Sequence, residues 1–428
     1  MNAPAAACAA GFFMAIWPLV PFAEAPRPVL TLPMAFALAQ ERHPLLALTA
    51  LERRVLEAEA AEAAFTPAME AGLEVENFAG TQALPGVRGA ETTLTLGSIL
   101  ERGQKAEARL GVITTRMAAT DTQQAARRLD VLAEVARRHL DWIEQISRCA
   151  IADEAIHLRE QAVTHVERRH QAGATPVSTL HTAEAQLALA QVAARQCAMR
   201  TRTAGRLLTA IWEDDSDYQP ATVSVLPAPT VPDEALLIAW LADSPELERF
   251  NDDARISAAE LILGESARKT DFRWQVGIRR LEETDDTALV ASVSYALGSA
   301  TRAQPRIDAA RARLEQHRVA QQAVHRTLRN TLLNAHGRLS ATVMEVELLQ
   351  DKVIPLFEKA ELAARQAFTA GAATYFEWSV TQNELLDVRE RLLSVAASSH
   401  LALIEIQRLT AQPFTAQPFT AQTPGATR

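Results

Sequence analysis

Long apolar runs are missing from this 428-residue chain, as are large numbers of cysteine, glycine and aromatic residues. Beyond the first 25 residues no stretch offers 18 consecutive apolar side chains, which excludes a membrane-spanning helix. Three cysteines are too few for a disulfide scaffold. A formal net charge of -9 provides no global basic signature for nucleic acid. No nucleophile elbow, phosphate loop or zinc-hydrolase signature occurs, and scattered serines, aspartates and histidines do not make a triad, so no enzyme is expected. What the chain does have is 48% hydrophobic residues, with alanine in excess. That composition excludes general disorder and favours long helices packed through small side chains.

The N-terminal segment reads as an export leader. Gly11 to Phe22 is a short apolar run, and Ala23-Glu24-Ala25 fits a small-residue cleavage pattern. The signal departs from the usual form, because no Lys or Arg precedes the run and Pro18 and Pro21 interrupt it. Cys8 lies ahead of the run, a poor place for a lipidated cysteine.

The body of the chain repeats itself. His43-Pro44 is echoed by Ser244-Pro245, 201 residues on, and each proline opens a helical run, at about 45–67 and 246–268. Each run leads to two extended segments and then to a very long helical hairpin. Gly173 and Gly371, 198 residues apart, mark the hairpin turns, with Arg169 to Gly173 set against Arg365 to Gly371. In the extended segments Phe272, Trp274, Val276 and Ile278 alternate with Arg273, Gln275, Gly277 and Arg279. Leu289, Ala291, Val293 and Tyr295 alternate likewise with Val290, Ser292 and Ser294. Period two over nine or ten residues is strand behaviour, long enough to cross a membrane at a tilt. An ordinary hairpin resting on a soluble core has the same pattern, and the strands alone do not separate the two.

The helices carry more weight. From Ala106 to Arg169 there is no proline and only Gly111, while Leu129, Leu132, Ala136, Leu140 and Ile143 recur at three- and four-residue spacing. Such a segment spans roughly 90 Å, and the same spacing on a returning arm is what an antiparallel coiled coil requires. Pro355 is expected to bend the second long run or divide it into two stacked helices. Four strands per chain cannot close in lipid without leaving unpaired backbone groups, so membrane strands demand an oligomer. Three copies give twelve strands, an even number; a soluble coiled-coil scaffold is the competing class.

The predicted organisation follows: a leader over 1–25; a first repeat over 26–213, with strands near 71–78 and 90–98 and a hairpin over about 103–212 turning at 173; and a proline-rich connector over 214–233. A second repeat covers 234–410, with strands near 271–281 and 287–297 and a hairpin over about 303–410 turning at 371. A low-complexity tail over 411–428 contains a tandem Ala-Gln-Pro-Phe-Thr and is expected to be a dispensable extension.

This plan resembles the outer-membrane factor family, the TolC-like channels, from about residue 33 to 410. The stretch from Gly72 to Gly80 is similar to the first strand of the branch serving heavy-metal and cation efflux. His43-Pro44 stands where that family has Asn-Pro. The resemblance implies a mixed α/β membrane protein: a homotrimer with a twelve-stranded outer-membrane β-barrel continuing into a periplasmic α-helical barrel. It implies a periplasmic adaptor and a proton-driven inner-membrane pump of the resistance-nodulation-division type as partners, outer-membrane lipid as surroundings, and no cofactor. The family narrows its aperture with two aspartates after the second turn. Those positions fall on Glu377 and Val380 here, making Glu377 the candidate aperture ring. As a simpler role, Glu377 caps its helix. The turn residues Arg168, Arg169, Gly173, Thr175, Arg365, Gly371 and Thr374 become candidate adaptor contacts.

The histidines are scattered. His157, His165 and His170 share one polar helical stretch, without the dense ligand set of a tight metal site. Finally, Cys149 lies 24 residues before Gly173 and Cys197 lies 24 after it. In a hairpin turning at Gly173 both reach the same height. A disulfide is permitted in an oxidising periplasm, and two separate buried thiols are the alternative.

Overall fold

A computed structural model of the chain describes residues 28–78, 87–216, 218–220 and 226–414. The leader and most of the loop between the first two strands, including Ala79 and Gly80, lie outside the described residues.

The chain begins with a two-residue strand, β1 (Val29–Leu30), and two helices, α1 (Leu32–Arg42) and α2 (Pro44–Ala63). The break between the helices is set by His43, which is extended, and whose ring Nδ1 accepts from the Leu45 N–H at 3.2 Å. Pro44 then occupies the first helical turn, where a missing N–H costs nothing. Strands β2 (Glu70–Glu76) and β3 (Glu91–Leu100) follow, and then α3 (Lys105–Gln171) and α4 (Val177–Thr209). At 67 residues α3 is about 100 Å long.

The second half repeats the order. A short strand, β4 (Gln219–Pro220), pairs in parallel with β1. Helices α5 (Glu234–Ala242) and α6 (Pro245–Ser266) lead to strands β5 (Phe272–Leu281) and β6 (Asp286–Tyr295). Then come α7 (Ser299–Leu348), α8 (Ile354–Thr369) and α9 (Tyr375–Thr410).

Several predicted boundaries need correction. The first strand is 70–76 rather than 71–78, because Asn77 has φ 55° and turns the chain out of the sheet. The second runs 91–100, and the last runs 286–295, ending ahead of Gly298 at φ 80°. The long run of the second hairpin is divided by one π-helical turn, Leu349–Val353, immediately before Pro355. That wider turn places the proline in the first turn of α8, where its ring has no carbonyl to displace.

β2, β3, β5 and β6 form one antiparallel sheet in that order, with β2 and β6 as its edges. Leu73, Leu94, Ile278 and Leu289 lie in one cross-strand row, and Ala71, Leu96, Val276 and Ala291 in the next. The opposite face carries Glu74, Thr93, Arg279 and Ala288 in a matching row. Near the sheet α3 lies between α2 and α6, with α7 beyond α6; farther along, α3 lies between α4 and α9, with α8 beyond α9. Leu237 and Leu241 of α5 pack on Leu332, Leu339 and Ile406, while α1 packs with Val131, Val135, Leu208 and Trp212. These two clusters form a belt part-way along the hairpins.

Candidate functional site

The two hairpin tips come together at the end of the molecule away from the sheet. Each turn is made by a glycine in the left-handed region, Gly173 at φ 73° and Gly371 at φ 82°. Each is followed by the same backbone bond, Ala174 N–H to Arg169 C=O and Ala372 N–H to Ala367 C=O. The repeats therefore correspond at an offset of 198, and Arg169 matches Ala367 rather than Arg365, a correction to the sequence pairing.

Arg169 connects the tips. Its Nη1 donates to the Phe368 carbonyl at 2.5 Å, and the guanidinium lies 4.8 Å from the centre of the Phe368 ring. Behind it a buried cluster joins both hairpins: Ala162, Val166, Ala183, Phe368, Tyr375 and Trp378. The Trp378 indole donates to Glu361 Oε1 at 3.0 Å, and the Tyr375 hydroxyl to Gln186 Oε1 at 2.7 Å. Deeper in, the buried Arg159 donates to Gln382 Oε1 at 2.6 Å and also to Asn383 Oδ1. Arg365 donates to Gln161 Oε1 at 3.2 Å. Arg159, Glu361 and Trp378 escape sequence reading because their long-range partners are defined only by the fold; Arg159 and Gln382 are 223 residues apart.

Glu377 occupies the third position of α9 and forms a reciprocal cap with Thr374. The Thr374 N–H and hydroxyl donate to Glu377 Oε2 at 2.7 and 3.0 Å, and the Glu377 N–H donates to Thr374 Oγ1 at 3.3 Å. Those bonds from Thr374, backbone first, hold the carboxyl below its usual range. The side chain is exposed, whereas Val380 is half-buried. Arg168 and Gly173 are exposed, and the Thr175 carbonyl lies 2.9 Å from His170 Nδ1.

The three histidines of this stretch do not converge. His157 faces Glu160, His170 faces Thr175, and His165 stands edge-on to Trp378 at 5.8 Å. Burial lowers the His165 pKa, and the charges of Arg168 and Arg365 add to that. Among the described residues no group of three His, Cys, Asp or Glu side chains is placed to hold a metal ion, and no helix is long and apolar enough to cross a membrane. Higher on the first hairpin, Cys149 and Cys197 are joined, with S–S 2.08 Å and Cα–Cα 5.5 Å.

The sheet faces differ sharply. One exposes Leu73, Leu94, Val276, Ile278, Leu289 and Val293, with Leu289 at 87% of its full accessibility. The other carries ion pairs: Arg279 with Glu76 at 3.1 Å and Glu91 at 2.8 Å, and Arg273 with Glu70 at 3.2 Å. This second face is crowded. A Cβ at Gly277 would meet the Leu94 carbonyl at 2.5 Å, and one at Gly97 the Trp274 carbonyl at 2.6 Å.

A duplicated chain with a four-stranded sheet at one end and two long helical hairpins at the other has the fold of outer-membrane channels. It superimposes on CusC, described for conformational changes accompanying folding and transmembrane channel formation, with TM-score 0.74 and 15% identity over 89% of this chain and 91% of that one. The outer membrane protein VceC of Vibrio cholerae gives 0.72 and 15% over 90% and 97%, and the open-state MtrE outer membrane channel of Neisseria gonorrhoeae 0.69 and 14% over 90% of each. No protein-family model and no curated protein sequence matches the chain.

Proposed function

We propose that the chain is one subunit of a homotrimeric outer-membrane channel in a tripartite efflux system, exporting heavy-metal cations from the periplasm without covalent chemistry. The carrying observation is the sheet: its apolar face is exposed, its polar face carries Glu, Arg and Thr, and its two edges are β2 and β6. Lipid covers such a face favourably, and only pairing with further strands satisfies such edges. Crowding at Gly97 and Gly277 suits a sheet coiled with its polar face inward, around a lumen. The helical flanks support the same closure. Leu45, Leu48 and Val55 on α2 and Leu189 and Met199 on α4 are exposed on one flank, and Val319 on α7 with Leu356 and Leu362 on α8 on the other. One flank meeting the other in a neighbouring copy closes a ring.

The cation reading rests on the likeness of the sequence from Gly72 to Gly80 to the metal-efflux branch, together with Glu377. Three Glu377 carboxylates around an aperture attract cations and repel anions. The exposed tip residues Arg168, Gly173 and Thr374, with the half-buried Thr175 between them, are the surface offered to a periplasmic adaptor, with a proton-driven pump of the resistance-nodulation-division type supplying energy. Drugs and other small molecules are the alternative passengers within this architecture.

Deletion of the gene, scored for growth and intracellular Zn, Co, Cd, Ni and Cu across a metal panel, tests the passenger. Sensitivity to one group of metals supports the cation reading. Uniform tolerance across the panel removes it and leaves the channel fold untouched.

A further inference from the structure

The first residues of the low-complexity tail, 411–414, are seated on the helices. α9 ends at Thr410, and Ala411 turns the chain at φ 55°. A non-glycine residue holds that conformation only where its surroundings impose it. Here the next residues dock. Gln407 Nε2 donates to the Pro413 carbonyl at 2.9 Å, and the Gln412 N–H donates to the Gln407 carbonyl at 3.1 Å. Phe414 is buried in a groove between α1, α3 and α9, packed with Ala136, Leu140 and Ile404 and tilted against the Phe36 ring at 5.9 Å.

The docked residues Ala411-Gln412-Pro413-Phe414 open a five-residue unit, Ala411 to Thr415, that is repeated at once as Ala416-Gln417-Pro418-Phe419-Thr420. The second copy is identical in all five positions. Every side chain that seats the first copy is therefore available in the second.

We propose that this groove is a receptor for the Ala-Gln-Pro-Phe-Thr unit, and that the tail seats in it in either of two registers, one with Phe414 and one with Phe419. The second register loops out five residues between α9 and the groove. Closing a loop of that size disfavours it by roughly tenfold, so the first register dominates in the natural chain. Losing a buried phenylalanine outright disfavours docking by roughly a hundredfold or more. The slip is thus the smaller penalty, and a chain lacking Phe414 moves to the second register instead of releasing its tail.

The test uses the full chain, purified in detergent, as four proteins: natural, Phe414→Ala, Phe419→Ala and the double variant. A photoreactive benzoylphenylalanine at position 36 reports which unit is seated, by fragmentation of the cross-linked C-terminal peptide, and thermal unfolding reports the consequence. Cross-links are expected at 411–415 in the natural chain and at 416–420 in Phe414→Ala. Both single variants should unfold close to the natural temperature, and the double variant several degrees lower with its tail cross-links lost. Phe414→Ala falling as far as the double variant, without cross-links at 416–420, would overturn the proposal. Four identical unfolding curves with no tail cross-links in any protein would overturn it as well.

Discussion

Cys149 on α3 and Cys197 on α4 stand directly opposite each other, each 24 residues from Gly173, with their Cα atoms 5.5 Å apart. That separation lies within the ordinary range for bridged cysteines. About two turns farther from the hairpin tip on the same pair of helices, a Cβ at Gly205 would meet the Trp142 ring at 3.0 Å, so the two helices approach closely there as well. The first hairpin is thus tied across its arms, and among the described residues the second has no such tie. Non-reducing peptide mapping of freshly isolated outer membranes, with free thiols blocked first, should recover the cross-linked pair. Cys149→Ser with Cys197→Ser should lower stability by roughly 4 kcal/mol at most, the chain-entropy value for a loop of this size. Two fully alkylated cysteines would reject the bridge.

Stability should depend on pH through His139. Its Nε2 is buried without a hydrogen-bond partner, and burial lowers its pKa from 6.5 to about 4. The neutral ring is favoured in the folded chain, so the unfolded chain binds the extra proton between those two values. Stability is therefore fully present above pH 6.5 and falls as pH drops toward 4. The lost contribution is about 3 kcal/mol, spread over that window. Thermal unfolding of the natural protein and of His139→Gln across pH 4 to 8 checks this. The difference between the two should shrink or reverse below pH 6.5 and be constant above it.

The alternation at Phe272–Ile278 and at Leu289–Tyr295 was legible in the sequence because period two maps directly onto two faces. So was the hairpin turn, because a positive φ favours glycine at 173 and 371. The π-turn at Leu349–Val353 was not. Nothing local marks it beyond Pro355, which permits a bend or a break equally well. The tip cluster was illegible for a different reason: Arg159, Glu361 and Trp378 read as ordinary helix residues until α3, α8 and α9 are brought together. Phe414 was hidden by composition. Low complexity suggests a dispensable extension, and nothing local tells that one phenylalanine behind a proline fills a groove. Glu377 was legible both ways; its cap is seen in one chain, while the proposed ring would form only between copies.

Glu377 allows its two roles to be separated by one substitution. Glutamine at the same position keeps an acceptor for the Thr374 N–H, so the reciprocal cap survives while the charge goes. Glu377→Gln should reduce cation preference, read as a smaller reversal potential under a salt gradient in planar bilayers, with little change in unfolding temperature. Reversal potentials equal to those of the natural channel, in fully assembled protein, would put Glu377 outside the constriction.

The two faces of β5 should differ in what they contact. Single cysteines placed along 273–279 are expected to label from water at Arg273, Gln275 and Arg279, and to resist labelling at Trp274, Val276 and Ile278. Ile278→Arg should impair assembly, since a charge facing lipid near mid-bilayer costs roughly 2–4 kcal/mol, while Gln275→Arg should be tolerated. Labelling without alternation would contradict lipid contact on the apolar face.

The most direct measurement is the mass of the particle extracted from outer membranes. Four strands with open edges and two apolar helical flanks cannot be satisfied within one chain, so native mass spectrometry in detergent should give three copies of a chain of at most 46.6 kDa. The same particles should conduct ions when reconstituted. A stable monomer, or recovery of the protein in the soluble cytosolic fraction, would contradict the channel account.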